Sequence, residues 1–231
     1  MPIDLSAPFR GSTAIAAGLL TPGVLRGRRY RRLFPDVYAP AVLEVDLALR
    51  ARAAGVLVAG RGVVAGYAAA ELWGASCGPA DAPVDVLLPH DRRCDGLRVH
   101  RERIDPDEIT WLGPTPVTTA DRAAFDLARW APDLTERVAA VDALARCCKV
   151  EPDAIRALRD RHLGVHHSAV IAQVLALADA QAASPVEQGD EAGARRRTQP
   201  GRSVPRPRPP GSDRGQHSTS AGSRRPWCSI P

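Results

Sequence analysis

Apolar residues recur along most of this chain at helical or strand spacing and then stop. All twenty-one leucines lie between Met1 and Glu187, and none falls between Gln188 and Pro231. Near the start, Ala14, Ile15 and Leu19 mark one side of a short helix that begins at Ser12 and stops at Gly18. Thr21 caps a second, running through Val24 and Leu25 to Gly27. The aromatic and β-branched residues of Arg28 to Tyr38, turning at Pro35-Asp36, predict a hairpin. Leu25 runs straight into the arginines and leaves no room for a third helix, so the outline is a reduced winged-helix-like module.

Val45, Leu47, Leu49 and the alanines after Glu44 predict a helix ending at Gly55, and Val63 to Trp73 a second one closed by Gly74. Val84 to Leu88 and Leu97 to His100 read as strands flanking the polar turn Asp91 to Gly96. Ile109 to Leu112 and Thr115 to Val117 read as two more. From Thr118 the pattern is helical. Thr118 or Thr119 caps a helix carrying Ala123, Leu127 and Trp130, and Asp133 with Glu136 forms a capping-box pattern. The next helix has a stripe of Leu134, Val138, Val141, Ala145 and Cys148. Glu151 to Arg161 and Ser168 to Ala180 follow as further helices. The fold class is α+β: a winged-helix-like module over 1–42, and a small sheet with flanking helices and a helical C-terminal half over 43–183.

Composition changes the picture after that. The segment 184–231 is mostly Arg, Pro, Gly and Ser, too poor in apolar surface to offset its chain entropy, and is expected to be a disordered tail. Charge divides at the same place. The chain carries +5, but residues 188–231 hold nine arginines against three acids, whereas Met1 to Glu187 hold 22 basic and 23 acidic residues. The body is therefore not basic overall. Within it only the N-terminal segment is locally positive, with Arg10, Arg26, Arg28, Arg29, Arg31 and Arg32 opposed by Asp4 and Asp36. That cluster makes the electrostatic case for DNA.

No apolar run reaches the ~18 residues of a membrane span. No basic leader precedes a hydrophobic stretch, so no membrane partner and a cytoplasmic location are expected. The five cysteines, Cys77, Cys94, Cys147, Cys148 and Cys228, show no C-x-x-C spacing and read as reduced, small apolar residues.

Candidate chemistry is sparse. A PD-(D/E)xK nuclease needs carboxylates for Mg²⁺ and a lysine to position the attacking water, but the one lysine, Lys149, follows Cys147 where that motif has an acid. His162, His166 and His167 are interrupted by Gly164 and read as a solvated turn. Gly60-x-Gly62 with Gly66 lacks the spacing of a phosphate-cradling loop, and Ser184 has no histidine and acid in register. His100 ends an apolar strand beside Arg98 and Arg101; it reads as a packed structural histidine, or as a partner contact formed with those arginines. No catalytic residue, metal ligand, cofactor or small-molecule substrate is expected.

Six segments in order carry a family resemblance. They are Ala-Gly-Leu-Leu-Thr (Ala17 to Thr21), Arg-Arg-Leu-Phe-Pro-Asp-Val-Tyr (Arg31 to Tyr38), Ala-Ala-Ala-Glu-Leu-Trp-Gly (Ala68 to Gly74), Leu-Arg-Val-His-Arg (Leu97 to Arg101), Pro-Val-Thr-Thr-Ala-Asp-Arg (Pro116 to Arg122) and Phe-Asp-Leu-Ala-Arg (Phe125 to Arg129). Together they resemble the AbiEi-type antitoxin-like proteins of high-GC bacteria. The resemblance implies a DNA-binding winged helix, an antitoxin-type domain, and a regulator of a type IV toxin–antitoxin system with a cognate toxin as partner. The chain departs from the family where its DNA-reading helix precedes the wing. Weak backbone contacts from Arg26, Arg28, Arg29, Arg31 and Arg32 are therefore the expected mode.

Many relatives continue past Ser-Pro-x-Glu, matched by Ser184, Pro185 and Glu187, into a domain similar to very-short-patch-repair endonucleases. Here Arg/Pro/Gly/Ser sequence follows at once, as when GC-rich coding DNA is read out of frame. The rival reading is thus a catalytically dead remnant of a nuclease-like protein, its endonuclease domain lost by frameshift. Translation of the other two frames past Glu187 tests it; the absence of acid-bearing strands in both sinks it.

Overall fold

The structure is a computed structural model that describes residues 3–90 and 93–183. The tail expected to be disordered over 184–231 lies outside the described residues, as do Asp91, Arg92 and Cys228.

Strand β1 (Phe9–Arg10) leads into α1 (Gly11–Ala16) and α2 (Pro22–Arg26), followed by the hairpin of β2 (Tyr30–Phe34) and β3 (Val37–Pro40). The three strands form an antiparallel sheet ordered β1-β3-β2. The sequence pattern does not show β1, because two residues carry no periodicity and only their pairing with Val37 and Tyr38 makes them a strand. As the pattern predicts, two short helices and no third stand before the hairpin among the described residues, the second, α2, with only five residues. Thr21 caps it, its hydroxyl accepting from the Val24 N–H at 3.4 Å.

The hairpin turn also caps the start of a helix. Asp36 sits at φ 61°, a left-handed conformation that Asp tolerates. Its carboxylate accepts from the Ser12 N–H at 2.8 Å and the Ser12 hydroxyl at 2.5 Å. Its carbonyl accepts from the Gly11 N–H at 2.9 Å. Arg10, the residue before α1, makes no side-chain cap, so Asp36 supplies one from across the module. Phe9, Ala14, Leu20, Leu25 and Tyr30 form a small core, with Phe9 and Tyr30 edge to face at 5.2 Å. Phe34 and Val37 instead join the main core, and the Arg10 guanidinium donates to the Leu57 carbonyl at 2.9 Å.

Asp46 caps α3 (Leu47–Val58) by accepting from the Leu49 N–H at 2.7 Å. The helix runs through Gly55, where the pattern predicted its end. Gly55 is a contact point there: a Cβ on it would lie 2.5 Å from Thr115 Cγ2. The helix expected from Val63 is also corrected, because Val63 and Val64 are strand β4 and α4 spans Gly66–Leu72. Val63 and Val64 pair with Leu87 and Val86 on one side, and Val64 with Val117 on the other, so sheet pairing overrides their place in a helical pattern.

With β5 (Val84–Leu87), β6 (Leu97–His100), β7 (Ile109–Leu112) and β8 (Thr115–Thr118), β4 completes a mixed five-stranded sheet ordered β6-β5-β4-β8-β7. Pairing sorts its residues onto two faces. Val64, Val86 and Val117 share the face turned to the main core, and Val63, Asp85, Leu87, His100 and Pro116 share the other.

Four helices complete the described chain: α5 (Ala120–Trp130), α6 (Leu134–Cys148), α7 (Pro152–Arg161) and α8 (Val170–Ala183). Thr119 caps α5 and Asp133 caps α6. The box at α6 stays half-made, because the Glu136 carboxylate instead accepts from the Tyr67 hydroxyl at 3.0 Å. On α6 the fully buried residues are Val138, Ala140, Val141 and Leu144, a stripe rotated from the expected one. α5 is buried from Arg122 through Arg129, charged residues included. The architecture is α+β, and among the described residues no helix is long and apolar enough to cross a membrane.

Candidate functional site

The five arginines expected to meet DNA are all exposed. Arg26 ends α2, Arg28 and Arg29 link it to the hairpin, and Arg31 and Arg32 lie on β2, an edge strand of its sheet. The Arg29 guanidinium lies over the Tyr30 ring at 5.6 Å, and Arg32 Nε donates to the Phe34 carbonyl at 3.4 Å. None of the five has a carboxylate partner among the described residues, because Asp36 caps α1 and Asp4 accepts from Ser6. A groove of about 650 Å³ opens beside Arg28 and Arg29, over Tyr30, Pro40 and Val42.

His100 is drawn inward, whereas Arg98 stays exposed. Asp85 is buried on β5, and His100 Nε2 approaches its Oδ1 at 2.7 Å while Arg98 lies 3.7 Å from the same oxygen. The His100 ring stacks on Trp130 with centroids 3.5 Å apart and planes within 6°. Parallel pairing of β5 and β6 causes this, since it places Arg98 opposite Asp85 and His100 opposite Leu87 on one face. His100 therefore serves packing between the sheet and α5. Arg101 follows the strand at the surface.

Beneath this face lies a cluster whose members are scattered along the sequence. Arg122 and Arg129 are 0% and 1% exposed, and Asp126 between them is 0% exposed. One oxygen, Asp126 Oδ1, accepts from Arg122 Nε at 3.0 Å and from an Arg129 terminal nitrogen at 2.9 Å. Arg129 also grips Glu102 with two bonds, at 3.1 and 2.7 Å. Arg122 donates to Glu108 and to the Arg103 carbonyl. His162, expected in a solvated turn, is buried with its Nε2 2.6 Å from Glu108 Oε1. The end of α7 packs against α5 and carries His162 inward, while Arg161 bonds Asp107 at 2.7 Å from the surface.

Arg122 and Arg129 face Glu102, Glu108 and Asp126, and Arg161 reaches Glu108 at 3.2 Å from the surface while it pairs with Asp107. Burial raises the Glu102 carboxyl, but the hydrogen bond and charge of Arg129, joined by Arg122, outweigh it and hold Glu102 below its ordinary value. Burial pushes Asp126 upward against the pull of the same two arginines. Asp126 Oδ2 and Arg129 Nε have no partner among the described residues. The signal for part of this cluster was legible as Arg122, Asp126 and Arg129 at i, i+4 and i+7 on one helix.

Asp105, Glu108 and His162 bring three metal-ligand types within 4.8 Å of one another. The cation position is already taken: Arg122 donates to Glu108, and its terminal nitrogen lies 3.2 Å from His162 Nε2. The Glu108–His162 pair is buried, with side chains 2% and 4% exposed. The arrangement ties the segment between β6 and β7, which includes a short 3-10 turn at Pro106–Glu108, to α5 and the end of α7. Cys77, Cys147 and Cys148 form no disulfide among the described residues, and Cys147 Sγ lies 3.3 Å from the Trp73 carbonyl. No family model, curated protein or solved structure matches the chain.

Proposed function

We propose that this protein is an antitoxin-like transcriptional regulator of a type IV toxin–antitoxin system, non-enzymatic and cytoplasmic, with a cognate toxin protein as partner. It touches DNA weakly through Arg26, Arg28, Arg29, Arg31 and Arg32. The observation that carries the DNA part is the set of five exposed arginines without carboxylate partners, beginning at the helix before the hairpin and ending on its edge strand. Such groups gain affinity by releasing phosphate counterions, and they do so without reading bases.

A gel shift on the DNA upstream of its own gene, at two salt concentrations, tests this. Binding should fall steeply with salt and respond little to sequence, with each phosphate contact adding about 0.9 to the log–log slope. The triple variant Arg26→Ser, Arg28→Ser, Arg31→Ser should flatten that slope. Sequence-specific binding that survives raised salt would contradict the weak, backbone-only mode. For the antitoxin part, a neighbouring nucleotidyltransferase-like toxin gene is expected, and an isolated gene would count against it.

A further inference from the structure

The outer face of the five-stranded sheet is covered only in part. His100 and Trp130 close one end, while Val63, Leu87, Ile109, Trp111 and Pro116 line a groove of about 510 Å³ at the other. Trp111 stands at its rim, 59% exposed on β7, an edge strand of the sheet. Isolated exposed apolar residues are ordinary, but this one stands beside an apolar groove and an open strand.

Backbone phase makes the edge usable. The Thr119 N–H donates to the Glu108 carbonyl at 2.9 Å, so hydrogen-bonded pairs fall at Thr110–Val117 and Leu112–Thr115. Trp111 faces Pro116 at a position without ladder bonds, which suits a residue that has no N–H. The N–H and C=O of Trp111 therefore point away from β8, where no described strand pairs with them. The side chain of Trp111 meanwhile shares the groove's face.

Charge decides the occupant. Arg61 lines the groove, exposed and without a carboxylate partner among the described residues, while Arg103 shares Asp105 at 2.9 Å. Glu102 also lines it but is engaged by Arg129. The uncompensated charge is positive, so a second copy pairing edge to edge would bring like charges together, and an acidic strand would not.

We propose that the β7 edge and its groove bind an extended acidic-apolar segment of a partner protein by strand addition. Backbone bonds to Trp111 give the pairing, and alternate side chains enter the groove, apolar ones against Trp111 and Pro116 and, on the same face of the added strand, a carboxylate that meets Arg61. This rests on the reading that the chain acts through a protein partner, and it uses a surface separate from Arg26–Arg32.

Fluorescence anisotropy of the full chain with a labelled heptapeptide blocked at both ends, Val-Thr-Val-Thr-Val-Thr-Asp, which puts three Val and the Asp on one face, tests the proposal. Saturable binding is expected, weakened at least about tenfold in Trp111→Ala and in Arg61→Glu, the range of an interface hot spot. Both side chains are exposed, and unchanged thermal melts would show that the fold is kept. Peptides with Lys for Asp, or N-methylated on alternate amides, should lose binding. The Arg26, Arg28, Arg31 triple serine variant should bind the peptide normally, so failure of DNA binding and failure of this site are distinguishable. No binding by the Val/Thr/Asp peptide, or equal binding by its N-methylated form, would overturn strand addition. Concentration-dependent dimers that Trp111→Ala abolishes would overturn the acidic partner in favour of a second copy.

Discussion

Arg122 and Arg129 sit two helical turns apart with almost no exposed surface, so their charge must be answered inside the protein. Removing one partner of a buried ion pair is costlier than never having made it, because the survivor remains desolvated. Asp126→Ala should cost about 3–5 kcal/mol in urea unfolding, since it strips both arginines of a shared acceptor. Glu102 makes the cluster sensitive to acid. Its folded value lies below the ordinary 4.5, so its contribution is fully present above pH 4.5 and lost as pH falls through the lower folded value. Asp126 runs the other way, its raised value making its own contribution largest below pH 3.8 and lost as pH rises. Glu102→Gln should therefore flatten the acid limb of stability, and melts from neutral pH down past pH 4.5 would check it. At this scale the sequence displayed half of the cluster. Arg122, Asp126 and Arg129 share one helix, whereas Glu102 and Glu108, between β6 and β7, and His162, after α7, reach it from distant segments that only tertiary packing brings near.

Elements with chemical stop and start signals were legible, and those defined by a neighbour were not. Thr21, Thr119 and Asp133 cap their helices as the side chains predict, and Pro35-Asp36 turns the hairpin. Strands β1 and β4 have two residues each and exist through pairing alone. Gly55 shows the same limit inside a helix, where composition read it as an end and the structure makes it a contact. In a free helix Gly→Ala would gain about 1 kcal/mol. At position 55 the new methyl would lie 2.5 Å from Thr115 Cγ2, 3.3 Å from Thr115 Cβ and 3.5 Å from Thr115 Cα, in a buried layer without slack. Overpacking of this kind costs about 1–3 kcal/mol, so Gly55→Ala should be net destabilising. Thr115→Ser removes the nearest atom. The double variant should recover part of the loss, and a double-mutant cycle by chemical denaturation would read the coupling, which ought to be absent if Gly55 only sets helix propensity.

The whole molecule joins a nearly neutral body to a strongly basic tail. Residues 188–231 carry a net +6 and hold no leucine, so their arginines add affinity for any polyanion. The first unit of the chain ends at Val186. A chain ended there would hold 22 basic and 22 acidic residues, and its melting should match that of the full chain, since every leucine is kept. Affinity for random DNA at low salt should fall, and the salt slope should shrink by about 0.9 for each phosphate that a tail arginine had neutralised. A slope that persists and then flattens in the Arg26, Arg28, Arg31 triple serine variant would assign the remainder to the N-terminal module. That module holds six arginines against two aspartates, enough for a local field inside a neutral body. If the shortened chain instead shows no DNA binding at all, the tail alone carried the affinity, and the exposed arginines of α2 and β2 serve to keep an edge strand from pairing with its like.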